Sequence, residues 1–395
     1  MEETFRLGRI AGIPIGVNWS MFLVFWLLTW GLAGGVFPEA YPGYAPGTYW
    51  VAATVTAIVF YGALLAHELG HSLVAQRRGV RVEGITLWLF GGVAKLGGEA
   101  ASPDAELRIA VAGPAVSIGL GIAFAGVAIT LDAAGIDELV VGVFAWLARI
   151  NLILAVFNLV PAAPLDGGRV LRAVLWRRHG DRVRASVTAA RAGRVFGYVL
   201  VGLGLFEFAL GAGLGGVWFV FLGWFLLSAA RAEESHALMR GALGGVRVRD
   251  VMSREPMRAP GWFTVGTFID EYALRHRYAA YPVEDREGHI IGVVTLQRLR
   301  EVPPDARDAV LVSTIACPLA DVPQTGPDTS VIELVEQVAG NADGRALVFD
   351  GQTLVGIVSP SDVSRAVEQA TLRREHQTDR VRPNESRPNE SRPNE

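Results

Sequence analysis

"ALLAHELGHSLVAQ", Ala63 to Gln76, sets two histidines and a glutamate at the end of a stretch, Tyr49 to Ala66, that carries no charge. Residues 49–76 read as one apolar helix, and about 20 such residues suffice to cross the hydrocarbon core of a bilayer. Ionisable groups in such a helix are costly unless they have partners or a function. Positions i and i+4 of a helix share a face, so His67 and His71 can present ring nitrogens to one ion. His-Glu-x-x-His on a helix is the zincin arrangement, two histidine ligands with a glutamate between them that can take a proton from zinc-activated water. Zinc lowers the pKa of that water towards about 7, and Glu68 as general base completes the nucleophile. The competing reading, a polar cluster that only packs helices, is disfavoured by the cost of inserting it into an apolar span.

The rest of the chain agrees with a membrane setting. Its 395 residues leave room for two or three domains, and 51% are hydrophobic, concentrated in long charge-free runs. Six segments qualify as spans: about 14–36, 49–76, 107–131, 138–162, 193–210 and 214–231. The fifth and sixth are divided by the "GAGLGG" of Gly211 to Gly216. No cleavable signal peptide is apparent, and the first apolar stretch reads as an uncleaved span. With the N-terminus inside, the outer connections contain no Lys or Arg, whereas the inner ones hold Arg77, Arg78 and Arg81, then Arg169, Arg172, Arg177 and Arg178 among others. By the positive-inside rule both ends are cytoplasmic. A net charge of -3 argues for no particular partner, no basic stripe with interleaved aromatics points to nucleic acid, and the lone Cys317 excludes an internal disulfide.

A catalytic zinc needs a third protein ligand. Asp166, in "NLVPAAPLDGGRVL" from Asn158 to Leu171, falls at the cytoplasmic end of the fourth span, at the depth of the histidine pair. Gly167 and Gly168 are expected to let the backbone bend so that the carboxylate turns inward; the alternative is an aspartate that only caps the next helix. "VEGITLWLFGGVAKLGGEA", Val82 to Ala100, reads as a β-hairpin at the membrane surface, turning at Gly91-Gly92. A helical substrate must be unwound before attack, and an edge of this hairpin, with Thr86 as an edge residue, could receive it by strand addition.

After Arg231 the composition turns soluble. "HIIGVVTLQRL", His289 to Leu299, matches "TLVGIVSPSDV", Thr353 to Val363, with Gly292 and Gly356 spaced 64 residues apart, so two βαββα-like units are expected. The expected domains are 1–235 in the membrane, repeats at 246–305 and 306–370, and a disordered tail over 371–395 whose "RPNESRPNESRPNE" reads as an engineered tag.

"HELGH" in a span, then "FGGVAKL", "AGPAVS" at Ala112 to Ser117 and "NLVPAAPLDGGRVL" together resemble the site-2 protease family of intramembrane zinc metalloproteases, in the subgroup with a C-terminal pair of cystathionine-β-synthase-type (CBS) domains. The resemblance covers residues 8 to 368. It implies an α-helical polytopic membrane protein of about six transmembrane helices with a membrane-associated β-hairpin, plus an α/β soluble CBS pair. It further implies one Zn2+ held by His67, His71 and Asp166, Glu68 as catalytic base, and Asn158 near the substrate backbone. Regulated cleavage of a membrane-embedded protein follows from the same resemblance: an anti-sigma factor, a pro-sigma factor or a remnant signal peptide in the inner membrane of a bacterium, with membrane lipid around the enzyme. Asn18 departs from the family, where histidine is common. CBS pairs commonly hold ATP or AMP on a Thr/Ser and an Asp; Ser359 and Asp362 keep that pattern, whereas Thr295 is followed by Arg298 where the aspartate would fall. One nucleotide site is therefore expected, with a homodimerisation or docking module as the alternative. The rival function is a CBS-gated transporter or channel, which calls for repeated halves and polar residues along several spans.

Overall fold

The computed structural model describes residues 4–89, 91–211, 214–338 and 344–381, and the chain divides into two compact units, Met1–Ala237 and Leu238–Glu395. In the first unit six helices are long and apolar enough to cross a membrane. They are α1 (Ser20–Ala40), α2 (Pro46–Arg77), α3 (Pro103–Ala133), α4 (Glu138–Asn158), α6 (Arg182–Ala209) and α7 (Leu214–Leu243). A shorter helix, α5 (Asp166–His179), lies between α4 and α6 and carries Arg177 and Arg178 in its last turn, where they complement the helix dipole. Large apolar side chains such as Trp19, Phe22 and Trp26 stay exposed, as expected where the outer face of a bundle meets lipid. Helix α3 packs against α2, α4 and α5. Helices α6 and α7 approach through glycines: a Cβ at Gly204 would meet the Gly216 carbonyl at 2.5 Å, and one at Gly216 would meet that of Gly204 at 2.6 Å. Small residues at such crossings let backbones close up where water gives no hydrophobic drive.

The first span begins six residues later than expected, because residues before it are strands. β1 (Phe5–Ile10) and β2 (Ile13–Val17) form a hairpin that joins β3 (Val82–Trp88) and β4 (Gly91–Leu96) in one sheet of order β1-β2-β3-β4. Pro14 and Gly16 disfavour helix over this stretch. β2 runs parallel to β3, with Ile15 opposite Ile85, and Ile13, Ile15 and Ile85 pack on Leu65, Leu69 and Leu73 of α2. Two expectations for the hairpin are corrected here. Thr86 is not at an edge: it pairs with Gly16 on one side and Val93 on the other, and the free edge belongs to β4. The reversal precedes Gly91, which already pairs with Trp88.

The second unit holds two four-stranded sheets, β6-β7-β8-β9 and β10-β11-β12-β5. The first comprises Ala259–Pro260, Ala280–Glu284, Ile290–Thr295 and Cys317–Pro318; the second comprises Gln324–Thr325, Ala346–Asp350, Thr353–Val358 and Ser253–Arg254. Each sheet thus receives an edge strand from the chain segment that leads into the other repeat. The repeat glycines mark these crossings: a Cβ at Gly356 would meet Met252 Sδ at 2.6 Å, and one at Gly292 would run into the Cys317 carbonyl. The last helix, Pro360–Val381, continues through residues 371–381, which were expected in the disordered tail; "TLRREHQTDRV" contains no Pro or Gly to stop it. The proposed tag at 382–395 lies outside the described residues.

Candidate metal centre

Helix α2 carries His67 and His71 on one face, and α5 begins with Asp166. The three meet. His71 Nε2 lies 3.2 Å from His67 Nε2 and 3.1 Å from Asp166 Oδ2, and His67 Nε2 lies 3.3 Å from the same oxygen. Both histidines are buried. Ligands about 2.0–2.1 Å from a tetrahedral zinc stand about 3.3 Å from one another. The spacing and the two-imidazole, one-carboxylate donor set therefore fit a catalytic zinc ion with one position left open.

The surroundings turn the right atoms inward. His71 Nδ1 lies 2.7 Å from the carbonyl oxygen of Ile109, which can only accept, so Nδ1 is protonated and Nε2 keeps its lone pair. His67 Nδ1 lies 2.8 Å from Ser117 Oγ, a fully buried hydroxyl. Both partners belong to α3, around the internal Pro114. Pro114 has no N–H to give the Ala110 carbonyl, and the Ile109 carbonyl one residue earlier is the one that meets His71. Gly113 makes the approach of α2 and α3 possible, because a Cβ there would collide with the Nε2 atoms of His71 and His67. None of Ile109, Gly113 and Ser117 was assigned a role from sequence. "AGPAVS" was noted as a motif, and its small residues beside a proline were the available signal.

Asp166 does not cap α5; the N-cap position is Leu165, and the aspartate side chain faces the histidines. Gly167 and Gly168 act by close packing and not by a bend. Both are helical, and a Cβ on either would collide with the Leu159–Ala163 backbone. One turn further, Arg172 pins α5 in place, donating to the buried Glu106 of α3 and to Glu233 of α7, the latter at 2.9 Å.

Glu68 and Asn158 line, with the three candidate ligands, a cavity of about 470 Å3 whose walls include Gly91 to Ala94 of β4 and the aromatic rings of Phe157 and Phe225. Gly92 leaves the room Glu68 occupies: a Cβ there would overlap the glutamate side chain. Asn18, at the start of α1, accepts from the backbone N–H of Ser20 at 3.1 Å. The three soluble residues are arranged differently. Ser359 Oγ donates to Asp362 Oδ2 at 2.5 Å, while Thr295, at the end of β8 in the other sheet, accepts from the backbone N–H of Arg298 at 3.3 Å. A cavity of about 680 Å3 in this unit, walled by Arg258, His289 and Phe349 among others, is lined by none of them.

The family model for peptidase family M50 matches residues 55–138 and 132–201, and that for the CBS domain matches residues 248–305 and 312–369. Rip3 of Mycobacterium tuberculosis, which bears the name of a zinc metalloprotease, is 48% identical over 387 residues, 98% of each chain. A similarly named Synechocystis protein, sll0528, is 32% identical over 318 residues, 80% of this chain and 82% of its own. Among solved structures, the site-2 protease from Methanocaldococcus jannaschii matches with 30% identity and a TM-score of 0.41, over 58% of this chain and 94% of that one.

Proposed function

The chain belongs to peptidase family M50, a site-2 protease-type zinc metalloprotease of the membrane with a C-terminal CBS pair, and from that premise we propose that it cleaves membrane-embedded protein substrates in regulated intramembrane proteolysis. The observation that carries this reading is the meeting of His67, His71 and Asp166 in one buried cluster, with Glu68 on the wall of the same cavity.

His67, His71 and Asp166 would hold the zinc, which when bound supplies a Lewis acid and an acidified water. Glu68 takes the proton of the attacking water and returns it to the leaving nitrogen. The water oxygen joins the acyl carbon, the C–N bond breaks, and a carboxylate and an amine result. Asn158, at the end of α4, holds the substrate backbone from the cavity wall. The unwound segment adds to the free edge of β4, whose residues line that cavity, so the chain it presents lies extended beside Glu68. The arginine-rich inner connections support a cytoplasmic N-terminus and cytoplasmic CBS domains in a bacterial inner membrane. Adenine nucleotide at Ser359 and Asp362 would tune the activity, at the cost of their mutual bond.

The test compares the membrane proteome of cells carrying the wild type with that of cells carrying Glu68→Gln. A membrane protein trimmed only by the wild type supports the reading. Identical proteomes, with both proteins folded and zinc-loaded under conditions that shed substrate ectodomains, would count against it.

A further inference from the structure

Arg169 stands beside the candidate centre with its guanidinium donors unused among the described residues. It lies three residues after Asp166 on α5, so both side chains leave the helix on neighbouring faces. It lines the 470 Å3 cavity with Glu68 and Asn158, and also a smaller one of about 230 Å3 with Arg172, Ser186 and Glu233. Arg172 uses its donors on Glu106 and Glu233. The Arg169 guanidinium makes no hydrogen bond or ion pair with any described residue. Asp166, Glu106 and Glu233 act on it through space, but donors left unmet in a partly buried guanidinium are expensive, and its five fixed N–H groups suit a carboxylate or a carbonyl oxygen.

Donor chemistry says what would pair with it. Glu106 and Glu233, which also hold Arg172, offset the two arginines in charge, so Arg169 lacks acceptors and not countercharge. The remaining walls, including Leu154, Phe157, Leu222 and Phe225, are apolar. The acceptor that best fits a guanidinium fork is a carboxylate. Peptide hydrolysis makes such an anion there: when the C–N bond breaks and the nitrogen takes its proton, the acyl fragment is left as a carboxylate.

We propose that Arg169 is the subsite for the acyl oxygen of the cleaved residue, donating to the scissile carbonyl of the bound substrate and pairing with the new C-terminal carboxylate of the product. The proposal rests on the proteolytic reading above. It makes the N-terminal fragment the tightly held product, and an arginine three residues from a metal ligand the element that distinguishes acid from amide.

The experiment uses the zinc-loaded full chain in detergent and two probes, an N-acetylated apolar tetrapeptide with a free C-terminal carboxylate and the same peptide as the carboxamide. Wild type is expected to prefer the acid. Arg169→Gln is expected to cut that preference by about tenfold to a hundredfold, the equivalent of one hydrogen bond to a charged group, with zinc per chain unchanged. Arg169→Lys, which keeps the charge and loses the planar fork, is expected to fall between them. An undiminished preference in Arg169→Gln with zinc retained means that the metal alone reads the carboxylate, and the assignment fails. Should Arg169→Gln unfold or lose zinc, Arg169→Lys decides: a reduced preference supports the assignment and an unchanged one overturns it. If wild type binds neither peptide, the proteolytic reading itself fails and the assignment falls with it.

Discussion

Ser117 and Gly113 show how much of the centre is decided one atom away from it. The Ile109 carbonyl leaves His71 no choice of tautomer, but the Ser117 hydroxyl can donate or accept, so its bond to His67 holds the ring and favours metal at Nε2. Ser117→Ala should weaken zinc binding about tenfold while the protein stays folded, read by competition with a chromogenic chelator; an unchanged affinity would mean the bond is incidental. Gly113→Ala has opposite local and site effects. In a helix interior the change ordinarily stabilises by about 1 kcal/mol, yet the new methyl would occupy the space of the His67 and His71 ring nitrogens. Loss of zinc in elemental analysis, despite the better helix former, is the expected outcome. Sequence displayed the candidate ligands because His67 and His71 sit at the spacing of one helical turn and Asp166 follows a span at matching depth. It did not display Ser117, a single hydroxyl in an apolar helix 50 residues from its partner.

At the scale of elements, the sheet was only half legible. Val82 to Leu96 announces its own hairpin, but β2 lies within an apolar run that leads without interruption into α1, and its partner β3 is distant in sequence. A strand seen with one neighbour looks like an edge, which is why Thr86 was placed there; its true position, paired on both sides, predicts that Thr86→Pro breaks the sheet and lowers the unfolding temperature. The strand-addition reading is tested on β4. Successive N–H groups of a strand point to opposite sides, so of Val93→Pro and Ala94→Pro one removes a ladder bond to β3 and the other an edge donor. The edge variant should keep its zinc and its fold and lose cleavage; if both folded variants cleave as wild type does, substrate does not add to β4. Helices α6 and α7 depend on glycine instead of side-chain fit, and Gly204→Val, whose side chain would strike the Gly216 backbone, should lower the thermal stability of the detergent-solubilised protein.

For the whole molecule, apolar length marked the six spans and the 64-residue repeat marked the paired units. The exchange of edge strands between the two sheets left no such trace, since two-residue strands such as Ser253–Arg254 and Cys317–Pro318 carry no periodicity to read. The repeat glycines were visible as spacing, and their reason, room for those crossing strands, needed the fold. The nucleotide reading makes a prediction at this scale. Because Ser359 and Asp362 already bond each other, a double Ser359→Ala, Asp362→Ala variant of the full chain should bind ATP more weakly than wild type in calorimetry, and equal affinity would place any nucleotide elsewhere.

The most direct test of the account is the zinc content of the detergent-purified protein, by elemental analysis, in wild type and in His67→Ala, Asp166→Ala and Glu68→Gln. About one zinc per chain in wild type and in Glu68→Gln, lost in the other two, is the predicted result, since in the proposed centre three residues hold the metal and the fourth acts on water. A wild type that is metal-free and cannot be loaded, or an Asp166→Ala variant that keeps its zinc, would contradict the three-ligand centre on which everything else stands.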